Sequence, residues 1–254
     1  MRLLIKFLVR KVPRNILIKF SFIFSKIFAF IYKGNNVYCP ICKNGFKKFL
    51  PYGNVGAINR LCPKCLSLER HRLLWLYLNN KTNFFTANLK VLHIAPEQAF
   101  YKRFRNLKNL EYITADLKSP LADIKIDIQN IPIEDNTYDA VICNHVLEHV
   151  ENEFKATSEI YRVLKKGGWA ILQVPIDYNR DVTYEDNTIT NPKDREKHFG
   201  QYDHLRFHGL DYPLRLKKSG FKVIEDNYIS GFDDKTIEYY RLPKHEIIYF
   251  CIKE

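Results

Sequence analysis

The chain has 254 residues, of which 46% are hydrophobic and 27% are charged, a length and apolar content that allow a substantial core and exclude general disorder. Its net charge of +12 is unevenly placed, because residues 1–80 hold 15 Lys and Arg against one acid, Glu69, whereas residues 81–254 are near balance at −2. A basic first third followed by a balanced remainder indicates two differently specialised parts and excludes a uniformly basic protein.

Residues 1–34 are apolar, aromatic and basic, with no acid among them. They do not resemble a signal peptide, because basic residues continue throughout and no small-residue cleavage site follows. Lys19 and Lys26 also make the segment a poor membrane span. With Lys33 they form one polar stripe on a helix, and the opposite side carries Phe20, Phe24, Ile27 and Phe28. We expect this helix to lie on an anionic membrane surface, with a helix that caps the core as the alternative.

Four of the six cysteines form two C-x2-C pairs, Cys39 with Cys42 and Cys62 with Cys65, separated by 19 residues. This spacing is typical of a zinc site with four thiolates, and the other two cysteines lie in apolar runs, as expected in a reducing compartment. A closed four-thiolate site leaves no position for water, so the predicted zinc is structural. Redox-active disulfides are the alternative. Residues 35–80 are therefore expected to form a zinc-binding module that ends in a linking helix over 66–80.

Strand and helix patterns alternate from residue 89 onward, which predicts an α/β domain over residues 81–254 with a doubly wound, largely parallel sheet. Such sheets bind ligands beyond the carboxyl ends of their strands. The predicted strands are 89–95, 111–116, 125–128, 138–144, 169–175, 221–229 and 245–253, and the predicted helices are 96–107, 153–166 and 211–220.

The stretch CNHVLEHV, residues 143–150, contains His145, Glu148 and His149 in the order H-x-x-E-H. That order is the zinc-binding motif of one class of metalloprotease, in which a long helix carries both histidines. Here the motif directly follows a predicted strand, and a break follows at residues 150–152. We therefore reject the protease interpretation and expect His149 to be a capped, partly buried histidine.

Residues 131–175, IPIEDNTYDAVICNHVLEHVENEFKATSEIYRVLKKGGWAILQVP, strongly resemble the middle of class I S-adenosylmethionine-dependent methyltransferases of type 11. The resemblance extends more weakly over residues 89–254. It implies a Rossmann-like methyltransferase fold with a seven-stranded sheet and S-adenosylmethionine as the cofactor.

The resemblance also assigns cofactor contacts to residues at the strand ends. Asp116 matches the acid that accepts hydrogen bonds from both ribose hydroxyls, which suits a carboxylate with two acceptor oxygens. The further matches are Leu117 beside that acid, Asp127 and Ile128 at the adenine, and Asn144 and His145 at the methionine part and the transferable methyl group.

The first loop departs from the family pattern, which reads acid-x-Gly-x-Gly-x-Gly. In this chain His93 replaces the acid, Ala95 the first glycine, Glu97 the second and Ala99 the third. Glycines let the backbone approach the cofactor closely, so two outcomes are open. Either the loop takes another path and Glu97 reaches the cofactor's ammonium group, or cofactor binding is lost. We favour retained binding, because Asp116 and the turn after the fourth strand are intact.

Methyl transfer to a hydroxyl requires a base, and His145 is the best-placed candidate. The polar segment 196–212 supplies two more candidate catalytic residues, His204 as a base and Arg206 as an anion clamp. A polar surface loop is the alternative interpretation of this segment, and a metal held by His204 and His208 is a weaker one.

These patterns lead to one principal hypothesis and two rivals. The principal hypothesis is a methyltransferase that acts on an O or N atom of a small or lipid-linked acceptor, located in the cytoplasm and peripheral on the inner face of the membrane. The first rival is an RNA methyltransferase that docks RNA through the basic zinc module. The second is a binding protein with a methyltransferase-like fold and no catalysis.

Overall fold

The computed structural model describes residues 14–53 and 58–254; the expectations for residues 1–13 and for the Lys19 side chain lie outside it. The strands are β1 Lys33–Cys39, β2 Asn44–Phe46, β3 Leu89–Ile94, β4 Leu110–Asp116, β5 Ile124–Lys125, β6 Tyr138–Asn144, β7 Leu164–Gln173, β8 Tyr184–Glu185, β9 Arg206–Phe207, β10 Lys222–Asp226 and β11 Ile248–Ile252. The α-helices are α1 Arg14–Ile31, α2 Glu69–Lys81, α3 Gln98–Arg105, α4 Glu153–Val163, α5 Pro192–Phe199, α6 Tyr212–Lys217 and α7 Asp234–Tyr240. Short 3-10 helices cover Leu147–His149 and Tyr228–Gly231.

Seven strands form the main sheet in the order β10-β11-β7-β6-β3-β4-β5. The pairs from β7 to β5 are parallel, and β11 runs antiparallel to both of its neighbours. The predicted doubly wound, mostly parallel sheet is therefore confirmed. Since β3 and β6 lie side by side at its centre, the residues that follow them meet at one edge, where such sheets bind ligands.

Residues 164–168 belong to a strand, although the sequence predicted a helix up to residue 166. The helix α4 ends at Val163, and β7 begins at Leu164. The register of β7 against β6 shifts between Leu164 and Trp169, and the extra residues are taken up where Gly167 has a φ of +77°. The Gly-Gly pair thus marks an irregularity inside a strand, a second common use of glycine.

The cysteine-containing module and the main sheet share one continuous apolar core. Phe46 and Phe49 of the module belong to the same buried cluster as Phe84 and Val91 of the sheet domain. The module predicted over 35–80 is therefore packed against the sheet of residues 81–254, and α2 at the end of the module contributes Leu73, Tyr77 and Leu78 to the shared core. Such a shared core couples the stability of the two parts.

Arg72 of α2 joins the module to the C-terminal part of the chain. It is fully buried, and its guanidinium lies 4.5 Å from the ring centre of Phe49. Its nitrogens donate to four backbone carbonyl oxygens, at 2.7 Å to Tyr240, 2.6 Å to Arg241, 2.8 Å to Ser67 and 3.1 Å to Arg60. A buried guanidinium with all these partners is satisfied without a carboxylate.

The N-terminal helix α1 turns its small residues inward and its aromatic residues outward. Ser25 is buried, Ala29 packs against the core, and Ser21 Oγ accepts a hydrogen bond from Gln98 Nε2 at 2.7 Å. Phe20, Phe24, Phe28 and Tyr32 form a row of neighbouring rings along the helix, and the first three are exposed. Among the described residues, no helix combines the length and apolarity needed to cross a bilayer.

Candidate functional site

A small, partly enclosed cavity lies at the carboxyl ends of β3, β6 and β7. Helix α2 and the segment before β11 close its other sides. Its polar lining comes from Arg70, His71, Glu97, Asn144, His145, Gln173 and Glu246. The cavity therefore stands where the topology of the sheet places a ligand.

Four buried nitrogen or oxygen atoms at this cavity have no hydrogen-bond partner within the described protein. They are Arg70 Nε, His71 Nε2, Asn144 Oδ1 and His145 Nε2. Leaving a buried polar atom unpaired costs about 1–3 kcal/mol, so proteins rarely collect several at one place. Their concentration here indicates a site built for a polar ligand.

His71 is a neutral histidine that offers a hydrogen-bond donor to this cavity. Burial and the neighbouring Arg70 charge lower its pKa to about 3. Its Nδ1 accepts a hydrogen bond from the Leu68 backbone N–H at 3.1 Å, which assigns the proton to Nε2. The unpaired Nε2–H therefore suits an acceptor such as a carboxylate.

Glu97 restores a carboxylate to the loop in which His93 replaces the family acid. Its Oε2 lies 2.5 Å from His93 Nε2, and its Oε1 accepts a hydrogen bond from Asn144 Nδ2 at 3.0 Å. Burial alone would raise the pKa of Glu97, but the interactions with His93 outweigh it and lower that pKa to about 2. The carboxylate is thus ionised at the cavity wall.

His93 itself lies below the cavity and does not line it. The ring is fully buried, and its Nδ1 lies 2.7 Å from the hydroxyl of Tyr112 on β4. The sequence suggested a direct cofactor contact for His93, whereas in the structure His93 holds Glu97 in place through a hydrogen bond. This difference arises because Glu97 occupies the space between the ring and the cavity.

The first loop keeps a glycine-like path without a glycine. Ala95 has a φ of +51°, in the left-handed region where glycine is favoured, and its N–H donates to the Ala115 carbonyl at 2.8 Å. His145 at the end of β6 has a φ of +54°, and its N–H donates to the Gln173 carbonyl at 2.7 Å. Two non-glycine residues in this region, at neighbouring strand ends, indicate strain held at a functional edge.

The residues predicted to contact adenosine lie at the ends of β4 and β5. Asp116 Oδ1 accepts hydrogen bonds from the N–H groups of Lys118 and Ser119 at 2.6 Å each. Asp127 Oδ1 accepts one from the Gln129 N–H at 2.9 Å. Leu117 is 60% exposed, whereas Ile128 is buried in the core. The open apolar surface of Leu117 beside a carboxylate suits a flat ring attached to a diol.

His204 and Arg206 lie beyond His145 on the other side of Glu148. His145 Nδ1 lies 3.5 Å from Glu148 Oε1, and His204 is close to Glu148 and His149. The guanidinium of Arg206 already binds the carbonyls of residues 147, 150 and 151 and the Glu185 carboxylate. Four of the five N–H donors of Arg206 are thus used within the protein, so Arg206 fixes the turn after β6 and has at most one N–H left for the anion contact suggested by the sequence.

The four cysteines of the two pairs converge, as their spacing predicted. Their sulfur atoms all lie within 4.8 Å of one another, with Cys39 and Cys65 3.5 Å apart and Cys42 and Cys62 3.7 Å apart. Sulfurs bound to zinc at about 2.3 Å in a tetrahedron are about 3.8 Å apart, so the arrangement fits the ion. All four are buried and unoxidised, and no other residue type is needed to complete the set.

Arg70, His71 and Glu246 also line the cavity, although no sequence motif predicts them there. The polar stretch ERHR at the start of an otherwise apolar helix could have signalled them, since buried polar residues need a reason. Glu246 precedes β11 in a loop of ordinary composition, and nothing local distinguishes it. These residues reach the site only because α2 packs across the strand ends.

Part of the chain is similar to known methyltransferases. Residues 80–172 match the family model described as a methyltransferase domain, and they include the strands from β3 to β7. An uncharacterized protein of Methanocaldococcus jannaschii is 34% identical over 106 residues, which cover 41% of this chain and 39% of that protein. The sterol 4-C-methyltransferase strm-1 of Caenorhabditis elegans is 28% identical over 123 residues, 48% of this chain and 32% of its own length.

The chain thus spans less than half the length of these two relatives. Among solved structures, the 4+2 cyclase SpnF is similar with a TM-score of 0.51 and 14% identity, over 80% of this chain and 85% of that one. A likeness at this identity shows the fold. The fold and the motifs of residues 131–175 therefore agree on the family resemblance inferred from the sequence.

Proposed function

We propose that this chain is an S-adenosylmethionine-dependent methyltransferase acting on an O or N atom of a small or lipid-linked acceptor, a proposal supported by the match of residues 80–172 to the methyltransferase domain model. The observation that carries the proposal is the set of unpaired polar atoms around the cavity. Two of these atoms suit an amino acid: Asn144 Oδ1 would accept from its ammonium group, beside the ionised Glu97, and His71 Nε2 would donate to its carboxylate.

The enclosed part of the cavity is only about 10 Å³, room for about one water molecule, so its side chains must move apart to admit the amino-acid end of the cofactor. The adenosine part would extend outward over Ala95 toward Asp116 and Leu117, which lie on the neighbouring strand. The Asp116 carboxylate would hold the ribose hydroxyls, and Leu117 would cover the base.

When bound, S-adenosylmethionine supplies a methyl group whose bond to sulfur breaks with return of the electron pair to sulfur. The protein's residues bind, orient and accept a proton. His145 presents Nε2 to the cavity and Nδ1 to Glu148, so this carboxylate orients the ring. Nε2 is then the proposed acceptor of the proton released by the hydroxyl or amine of the substrate.

A membrane surface as the working location is supported by α1. Its exposed aromatic row and the exposed Lys26 and Lys33 combine apolar area with positive charge. Gln98 at the start of α3 binds Ser21 of the helix, and α3 follows the loop that contains Glu97. A lipid-linked acceptor held at such a surface would therefore approach near the proposed cofactor site.

Calorimetry with S-adenosylhomocysteine tests the cofactor proposal directly. We expect binding by the full chain and at least about tenfold weaker binding by Glu97→Gln, since an ionised hydrogen-bond partner contributes about 1.5–3 kcal/mol. The matched control is Glu111→Gln, an exposed glutamate on β4 away from the cavity. No heat and no thermal shift at millimolar ligand would overturn the enzyme proposal.

The location is tested separately by sedimentation with anionic vesicles and by RNA retention at several salt concentrations. We expect the full chain to sediment with vesicles and Phe24→Ser with Phe28→Ser to sediment less, because these rings are exposed. Retention on RNA without vesicle binding would instead favour RNA as the acceptor.

A further inference from the structure

The turn after β6 and the segment before β9 bring Glu148, His149 and His204 together. One possible ligand atom from each residue lies within 4.8 Å of the other two. The two imidazole rings are 4.8 Å apart and nearly perpendicular at 84°, so they converge and do not stack. Two histidines and one carboxylate are a recurrent ligand set for divalent transition metals with open coordination positions.

The hydrogen bonds of both rings favour the form that binds a metal. His204 Nδ1 lies 3.0 Å from the Phe199 carbonyl, and His149 Nδ1 lies 3.2 Å from the Asp203 carbonyl. Each Nδ1 therefore donates its proton to a carbonyl, which leaves the Nε2 lone pair of each ring available. Within the described part of the chain, neither Nε2 has a hydrogen-bond partner. Such backbone contacts fix ligand histidines in many metal sites.

The carboxylate supplies an independent observation. Glu148 is almost completely buried at 1% exposure, and its Oε2 has no hydrogen-bond partner in the described structure. An unpaired buried carboxylate oxygen is costly unless a proton donor or a cation occupies the space beside it. Oε1 faces His145, so the two oxygens have separate roles.

The two segments are also locked against each other before any ion binds. The Leu205 N–H donates to the Glu148 carbonyl at 2.8 Å, next to both His204 and His149. Arg206 binds the carbonyls of Leu147 and Val150 on either side of the glutamate and histidine. These hydrogen bonds account for the burial of Arg206, two residues after His204, and they hold the three proposed ligand residues in place.

We propose that Glu148, His149 and His204 form a second metal site, for one divalent first-row transition ion, distinct from the four-cysteine site. The ion binds through Glu148 Oε2 and one imidazole nitrogen of each histidine, and it keeps open positions toward the side that His149 leaves 30% exposed. Because Glu148 also contacts His145, the site lies on the acceptor side of the proposed cofactor cavity. An oxygen atom of the acceptor is its expected further ligand, a role that rests on the proposed function.

Cobalt titration of the full chain, already loaded with zinc at the cysteines, tests the site without any activity measurement. We expect one Co²⁺ to bind per chain with visible bands of nitrogen and oxygen ligation and without thiolate charge-transfer absorption. Glu148→Gln and His149→Ala should each weaken this binding at least about tenfold. The matched control is His198→Ala, an exposed histidine of the same region that should bind cobalt as the unaltered chain does.

Three results would overturn the site: no cobalt bound beyond the zinc, thiolate absorption from the bound cobalt, or unchanged binding by both variants. Thermal unfolding without cobalt shows whether each variant is folded, and His149→Ala carries the test if Glu148→Gln is not, because His149 is partly exposed. Catechol should shift the cobalt bands, and no shift would overturn acceptor coordination. Binding of S-adenosylhomocysteine is measured apart, so the site and the enzyme proposal fail independently.

Discussion

Glu97 and His93 face each other across one turn of chain, with Glu97 Oε2 2.5 Å from His93 Nε2. In the resembled family the acid stands at the position of His93. Here that position holds the histidine, and the carboxylate comes from Glu97 in the loop that follows. The cavity wall remains negatively charged as a result. A pattern search for the usual acid would miss this, because the charge has moved four residues along the chain.

The pair gives the first prediction. His93→Gln removes the imidazole that lowers the pKa of Glu97, so burial is left to favour the protonated form of that carboxyl. We expect weaker binding of S-adenosylhomocysteine at pH 7 with partial recovery at higher pH, where the carboxyl ionises again. Calorimetry between pH 6 and pH 9 measures this, and affinity equal to that of the unaltered chain would contradict it.

His71 gives a prediction on stability. Its folded-state pKa of about 3 lies below the ordinary value of 6.5, so between these limits the unfolded chain binds a proton that the folded chain does not. The contribution of His71 to the free energy of unfolding is therefore present above pH 6.5 and decreases as the pH is lowered toward 3. At pH 5 the loss is about 2 kcal/mol. Urea unfolding of the chain and of His71→Gln should therefore differ in slope between pH 7 and pH 5, and parallel curves would refute the assignment.

Ala95 gives a prediction about backbone strain. Its left-handed conformation costs about 1 kcal/mol, which glycine would relieve while adding a similar cost in unfolded-state entropy. We expect Ala95→Gly to match the unaltered chain within about 0.5 kcal/mol and Ala95→Val to be less stable by more than about 1 kcal/mol, since a β-branched residue fits this region worst. Chemical unfolding measures both, and equal stability of the valine variant would contradict the strain.

Arg72 gives a prediction about the joint between the module and the sheet. Arg72→Met keeps the bulk but leaves the carbonyl oxygens of Arg60, Tyr240 and Arg241 without a donor, for an expected loss of about 3 kcal/mol or more. Arg105→Met is the control, because Arg105 pairs with Asp123 at the surface, where such a pair contributes about 0–1 kcal/mol. Similar decreases in the free energy of unfolding for the two variants would show that Arg72 does not stabilise the contact between the module and the sheet.

Removal of metal from the cysteines gives the last prediction. Cys62→Ser should lower the zinc content by one ion per chain and destabilise the whole chain, because the module and the sheet share a core. The control is Cys251→Ala, a buried cysteine of β11 that should leave the zinc content unchanged. Zinc content is read by elemental analysis, and an unchanged value in Cys62→Ser would refute the site.

The sequence predicts best those features that depend on local pattern. The bounds of β6 are as predicted, because a central parallel strand is a continuous apolar run, and the four cysteines converge because ligand spacing encodes the metal. It fails at Gly167 and Gly168, since the same pair ends a helix or permits a strand irregularity, and only pairing with β6 decides between them.

The site residues also divide into those that a local pattern predicts and those that only tertiary packing brings to the cavity. Asn144 and His145 are predictable from a motif next to a strand, and both line the cavity. His71 is not, because its place depends on how α2 crosses the sheet. The contact of His149 with His204 is equally unpredictable, since 54 residues separate them and no sequence motif contains both. The separation of two such residues in the sequence does not predict their contact, because the contact depends on the tertiary fold.

His71 and Arg72 are successive residues of α2, yet one reaches the ligand cavity and the other fastens the cysteine module. A change that breaks the hydrogen bonds of Arg72 is therefore expected to displace His71 at the cavity. An ion bound by the four cysteines would in this way support a cavity that it does not touch, and removal of that ion is expected to weaken ligand binding there.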